Sequence, residues 1–144
     1  MLDTSLWTFY LAAAGKTKGM SVLVVEDDLF MKPILMRILQ SLDETIKVYW
    51  AVSVDEAKEA LSEGAFSLVI ADYFLLGQDN GLDLWKHCQD KFSDIPFVMV
   101  SGLEPDVFRK LFAGKTDEIP RFLQKPFYPK QCRALVEDAL SKAA

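Results

Sequence analysis

Four short segments carry the residues whose types and spacing can do chemistry. Glu26-Asp27-Asp28 follows the apolar run 21–25, Asp72 follows 67–71, Ser101-Gly102 follows 97–100, and Lys125-Pro126-Phe127 follows 121–124. Several carboxylates aimed at one crevice repel one another, which costs several kcal/mol in a partly buried site unless a cation is present. Oxygen-only donors with open positions suit Mg²⁺. An Asp carboxylate can attack phosphorus. A Mg²⁺ ion and a Lys then balance the charge of a phosphoryl group in transfer, and a Ser hydroxyl can donate to one of its oxygens.

Each segment taken alone has a plainer reading. An acidic cluster after a strand usually caps the next helix. Asp72 can be a turn residue beside Gly77, Asn80 and Gly81, Ser101-Gly102 a turn, and Lys125-Pro126 a loop with a solvated cation. The conjunction is what carries specificity: an acid pair, a single acid, a hydroxyl and a Lys, in order, each closing an apolar run.

The elements that must position them alternate strand and helix. Residues 21–25, 46–50, 67–71, 97–100 and 121–124 read as strands, the first as a run buried on both faces, the third as fully apolar, and the fourth as entered through Pro96. Met31, Ile34, Leu35, Ile38, Leu39 and Leu42 recur at helical spacing, with Pro33 tolerable only in the first turn. Ser53 and Glu56 predict a capping box opening a helix over Val54, Ala57, Ala60 and Leu61, ended by Gly64. Leu82, Trp85, Cys88 and Phe92 mark a third helix. Val107, Phe108, Leu111 and Phe112 mark a fourth, ended by Gly114. Cys132, Leu135, Val136 and Ala139 mark the last. Five strand–helix repeats imply an α/β, doubly wound, five-stranded parallel sheet with helices on both faces. Ligands in such folds bind outside the carboxyl ends of the strands, where all four chemical segments fall.

Composition narrows the function classes. The chain has 144 residues, 51% of them hydrophobic and 26% charged, as expected for one globular domain. Its net charge of −5 disfavours direct nucleic-acid binding, which needs surplus cations. No apolar run approaches the ~18 residues needed to span a bilayer. Two cysteines, Cys88 and Cys132, and one histidine, His87, build neither a disulfide framework nor a histidine metal site, so a reducing cytoplasmic location is expected. His87 and Cys88 are adjacent and diverge on a helix, which predicts one surface and one core residue. Trp50 and Trp85 read as packing residues, and Cys132 as a buried thiol.

Residues 1–19 stand apart as an arm before a domain over 20–144. The stretch 6–14 is apolar but lacks the basic start of a signal peptide. Ser5 can cap a short helix in which Trp7, Tyr10, Leu11 and Ala14 share a face, with Gly15 ending it. The arm reads either as a frayed leader or as a docking helix, and Met20 as an alternative start.

On Val24-Val25-Glu26-Asp27-Asp28, Leu68-Val69-Ile70-Ala71-Asp72, Asn80-Gly81-Leu82, Val100-Ser101-Gly102 and Leu123-Gln124-Lys125-Pro126-Phe127, the chain resembles the receiver domain of two-component response regulators, over about residues 20–142. The resemblance implies a flavodoxin-like sheet of order 2-1-3-4-5. It implies a phosphoacceptor at Asp72, and Mg²⁺ held by Glu26, Asp27, Asp72 and the backbone carbonyl of Phe74. It further implies a switch hydroxyl at Ser101, a phosphate-binding Lys125 with a cis bond to Pro126, and an aromatic switch at Phe122. Such a domain takes a phosphoryl group from a histidine kinase or phosphotransfer protein and acts on a downstream protein target. It promotes only its own phosphorylation and dephosphorylation. A dimer through the fourth helix, fifth strand and last helix belongs to the same expectation. The alternative within this resemblance is a degenerate receiver that serves only as an interaction module.

Several positions depart from the family's pattern. Leu75 and Leu76 stand where Met-Pro is usual, the loop 77–81 is one residue longer, and 114–122 is extended by Ile119-Pro120. Phe122 lacks the hydroxyl of the commoner Tyr, so a switch there acts by packing. Phe74, large and apolar beside the acceptor, is expected to shield an acyl phosphate from water. Other proteins on similar folds fit less well. A flavin site wants hydroxyls and glycines where Glu26-Asp27-Asp28 stands. An Asp-nucleophile phosphatase wants a second Asp at position 74. The 144 residues leave no room for an output domain, so a stand-alone receiver or a piece of a larger protein is expected.

Overall fold

The computed structural model describes residues 19–114 and 119–143. Five parallel strands, β1 (Ser21–Val25), β2 (Lys47–Ala51), β3 (Leu68–Ala71), β4 (Phe97–Ser101) and β5 (Arg121–Gln124), form one sheet of order β2-β1-β3-β4-β5. Between and after them run α1 (Met31–Leu42), α2 (Val54–Glu63), α3 (Gly81–Lys91), α4 (Pro105–Phe112) and α5 (Pro129–Ala143). Parallel strands require crossovers, and the order reverses between β1 and β3, which opens a crevice above their carboxyl ends.

The strands' two-residue period divides the apolar runs between two cores. Val22, Val24, Leu68, Ile70, Val98 and Val100 face α1 and α5. Leu23, Val25, Val69, Ala71, Phe97 and Met99 face α2, α3 and α4. Both faces are covered, so β1, β3 and β4 are almost wholly apolar and cannot slip register without exposing a face.

Local details refine several predicted boundaries. β2 starts at Lys47 rather than Ile46, because the Ile46 N–H donates to Asp43 O in a turn and Lys47 is the first residue in register with Ser21. β4 extends one residue further, to Ser101, in register with Gln124. Pro33 is the third residue of α1, within the first turn, where its missing N–H breaks no helical bond. Ser53 Oγ accepts from Glu56 N–H, but the Glu56 carboxylate returns to the N–H of Val52 rather than of Ser53. Gly64 caps α2 in extended backbone with φ −136°, a conformation open to any residue. Gly114, two residues beyond α4, has φ +72° and does use glycine's freedom. The predicted arm helix lies outside the described residues, as do residues 115–118 of the extended segment before β5.

Candidate functional site

Each chemical segment sits at a strand's carboxyl end, delivered by the ladder itself. The Glu26 N–H donates to Ala51 O at 2.8 Å and the Asp72 N–H to Val25 O at 3.0 Å, which carries the pairing of β2, β1 and β3 one residue into the crevice. The Lys125 N–H donates to Ser101 O at 2.8 Å, tying the β5 end to the β4 end. The Lys125–Pro126 bond is cis, as the resemblance implies.

Glu26, Asp27 and Asp72 each offer a carboxylate oxygen, all within 4.8 Å of one another. Glu26 and Asp72 are buried, at 2% and 6% exposure, and Asp27 is half-buried. Lys125 Nζ bridges two of them, donating to Glu26 Oε2 at 2.8 Å and Asp72 Oδ2 at 2.9 Å. Those two residues are separated from Lys125 by 99 and 53 positions in the chain. Asp28 stands outside the cluster: its Oδ1 accepts the Phe30 N–H at 2.9 Å in an Asx turn ahead of α1, whose N-cap Phe30 offers no side-chain cap, so the plainer reading of the acids as helix caps does not hold here.

The charges are not balanced by the protein alone. Burial pushes the Glu26 carboxyl up from 4.5 to about 7; the Lys125 hydrogen bond opposes this and the Asp72 charge adds to it. Burial alone would lower the Lys125 ammonium, yet its hydrogen bonds to Glu26 and Asp72 and their charges reverse the sign and raise it. Fully ionised, three carboxylates against one ammonium leave two negative charges, the complement of a divalent cation. With carboxylate oxygens as the clustered donors and no sulfur or imidazole among them, this set fits a hard ion such as Mg²⁺ rather than Zn²⁺.

The remaining predicted residues surround the cluster. Ser101 is fully buried, and its Oγ accepts the Leu103 N–H at 3.4 Å. Phe74, 55% exposed, lies two residues after Asp72 and donates its N–H to Asp72 Oδ1 at 3.2 Å. Phe122 lies on the inner face of β5, stacked on Phe108 of α4 with centroids 4.3 Å apart and planes 14° apart. Phe108 meets Phe112, which in turn meets Trp85 of α3, so an aromatic chain links β5 to α3.

Two supports were missed in the sequence. Asn80 and Asp83 form a full capping box: Asn80 Oδ1 accepts from Leu82 and Asp83 N–H, and Asp83 Oδ2 accepts the Asn80 N–H. The three-residue Asx–acid spacing was the available signal. Asn80 Nδ2 also donates to Tyr73 Oη at 3.2 Å, which pins the α3 entry to the residue after Asp72. The second is Gly81: a Cβ there would lie 2.5 Å from Asp72 O and 2.7 Å from Tyr73 Cα, so only glycine lets α3 approach the end of β3 this closely.

A doubly wound domain with an acidic, lysine-bridged crevice at its switch point is the class that fold and site define together. The chain belongs to the response regulator receiver domain family, whose model matches residues 22–137. It is similar to the sensor kinase CckA of Brucella abortus, with 34% identity over 124 residues that cover 85% of this chain and 13% of that protein. It is also similar to the transcriptional regulatory protein FixJ of Bradyrhizobium diazoefficiens, with 29% identity over 130 residues covering 88% of this chain and 59% of that protein. Among solved structures, the non-phosphorylated HemR receiver domain from Leptospira biflexa superposes with a TM-score of 0.67 at 28% identity, over 85% of this chain and 94% of that one. The chain thus spans less than two thirds of each curated relative named here. No helix among the described residues is long and apolar enough to cross a membrane.

Proposed function

We propose that the chain accepts a phosphoryl group on Asp72 from a histidine kinase or phosphotransfer protein and uses the added charge to reshape a surface read by a protein partner. The observation that carries this reading is the Lys125 ammonium held between Glu26 and Asp72 with the Asp27 carboxylate alongside. A lysine so placed neutralises charge at the acceptor and is ready to follow it onto a phosphoryl oxygen.

In the transfer, an Asp72 carboxylate oxygen attacks phosphorus in line. The new O–P bond replaces the P–N bond of a donor phosphohistidine, whose electron pair stays on the imidazole nitrogen. Glu26, Asp27, Asp72 and the Phe74 carbonyl are the groups that would hold Mg²⁺, which when bound offsets the negative charge on the phosphoryl oxygens. The product carries about −1.5 to −2 at the crevice. Lys125 then pairs with the phosphoryl group, and the Ser101 hydroxyl leaves its contact with Leu103 to donate to a phosphoryl oxygen. That movement draws on the loop into α4, and the Phe122–Phe108 stack relays it to the surface formed by α4, β5 and α5. The same surface is the proposed contact for a dimer or target.

Within this reading, residues 20–144 are the receiver unit and 1–19 an arm. The protein works in the cytoplasm, consistent with two free buried thiols, and its net negative charge favours protein over nucleic-acid partners. Intact mass after incubation with a small phosphoramidate and Mg²⁺ tests the central step. One added phosphoryl group in the wild type and none in Asp72→Asn is the expected result. Equal labelling of both proteins, or of neither, refutes it.

A further inference from the structure

The sheet has two edges, β2 and β5. β5 is blunted: Pro120 precedes it, the cis Lys125–Pro126 bond follows it, and Arg121 is paired with Asp138. β2 carries no proline and no bulge, and runs in unbroken register with β1 from Lys47 to Ala51. The Lys47 N–H donates to Met20 O, and Ala51 O accepts the Glu26 N–H, so Lys47, Tyr49 and Ala51 turn their backbone groups toward β1. The two-residue period turns those of Val48 and Trp50 outward, where no strand meets them among the described residues. The open stretch is closed off on either side. The Ile46 N–H donates to Asp43 O at 3.1 Å, and the Val52 N–H to Glu56 Oε2 at 2.9 Å.

The side chains along this edge complement a copy of themselves. Tyr49 is 49% exposed, on the face where Ala51 packs against α2, and its ring meets Phe66 edge-on with centroids 5.3 Å apart. Lys47, the one charged residue of the strand, is exposed on the same face. Glu56, in the first turn of α2, is exposed there too, its carboxylate held at the Val52 N–H.

We propose that β2 pairs antiparallel with β2 of a second copy of this chain, joining two sheets into one about a two-fold axis through Tyr49. Only this register uses both open residues: Val48 of each copy exchanges its N–H and C=O bonds with Trp50 of the other. A two-residue shift calls on Ile46 or Val52, whose N–H groups are already taken, and a one-residue shift sets outward groups against inward ones. The two Tyr49 residues form the non-hydrogen-bonded pair on the axis, the close position in which aromatic side chains stabilise a ladder. Lys47 falls opposite Ala51 of the second copy, within a lysine's reach of that copy's Glu56 carboxylate, and the axis repeats this pair of opposite charges. The contact is small and therefore reversible. Because the paired strands run in opposite directions, the two acidic crevices open at opposite ends of the joined sheet. Neither the crevices nor the surface of α4, β5 and α5 is covered, so the pairing does not depend on phosphorylation.

Sedimentation equilibrium of the full chain in reducing buffer, carried up to millimolar concentration, should show a reversible dimer. Tyr49→Lys sets two ammonium groups on the axis and should abolish it. Lys47→Glu faces Glu56 of the second copy with a carboxylate and should weaken it several-fold. Both side chains are exposed, so both variants keep the fold. Tyr49→Cys locates the contact, since Cα atoms of a non-hydrogen-bonded pair lie within disulfide range. Cys88 and Cys132, each 1% exposed, do not compete. In a glutathione redox buffer Tyr49→Cys should form several-fold more covalent dimer than Lys47→Cys, whose thiols stand well apart in this register. A chain that stays monomeric at every concentration, a dimer of undiminished strength in Tyr49→Lys, or equal cross-linking of the two cysteine variants overturns the proposal.

Discussion

Glu26→Gln in Mg²⁺-free buffer should remove a pH dependence that burial imposes on the folded protein. Glu26 is 2% exposed, and desolvation, helped by Asp72 and opposed by Lys125, holds its carboxyl at about 7 against 4.5 when unperturbed. Between these values the folded chain binds more protons than the unfolded one, so stability falls as pH rises. The contribution is fully present below about pH 4.5 and is lost as pH climbs through about 7. A gap of roughly two and a half pH units at about 1.4 kcal/mol each corresponds to about 3 kcal/mol, most of it lost between about pH 5 and pH 8. Urea unfolding of both proteins in a chelator, across that range, measures the difference. The wild type should lose roughly 2–3 kcal/mol relative to Glu26→Gln. Saturating Mg²⁺ should flatten the wild-type curve, since a cation favours the ionised carboxylate. Parallel curves for the two proteins would show that Glu26 carries no such penalty and would undo the charge argument for the site.

Lys125→Met strips the counter-charge from two buried carboxylates and should destabilise the metal-free protein by about 3–5 kcal/mol, most above pH 7 where Glu26 ionises, read by the same titration. Gly81→Ala places a methyl 2.5 Å from Asp72 O; a loss of at least about 2 kcal/mol in thermal unfolding is expected, with amide shifts centred on residues 72–81. Phe74→Asn exchanges an apolar ring near Asp72, the proposed acceptor, for a side chain that can orient water, and phosphoryl loss followed by intact mass should become several-fold faster. An unchanged rate would remove Phe74 from any shielding role.

The strands could be read because parallel strands covered on both faces must be apolar at every position, as Val22–Val25 and Leu68–Ala71 are. The chemical residues could be read because each closes such a run. Ile34 illustrates what periodicity does not reveal: it fits the helical repeat yet remains 42% exposed, because the space beside it depends on how closely α5 approaches α1. Phe122 could be singled out through the resemblance, but its stack on Phe108 could not, since the partner comes from a separate helix. The Asn80–Asp83 box was local and visible, but was overshadowed by the turn residues around it.

From sequence alone came the alternation of strand and helix and the kinds of group at each strand end, because backbone period and burial act on neighbouring residues. Tertiary structure decided which of those groups meet. Only the sheet order brings a lysine at position 125 to carboxylates at 26 and 72, and only burial in the packed fold raises the Glu26 carboxyl against the pull of that lysine. Distance and dielectric depend on the whole packed fold, and no stretch of sequence carries either one.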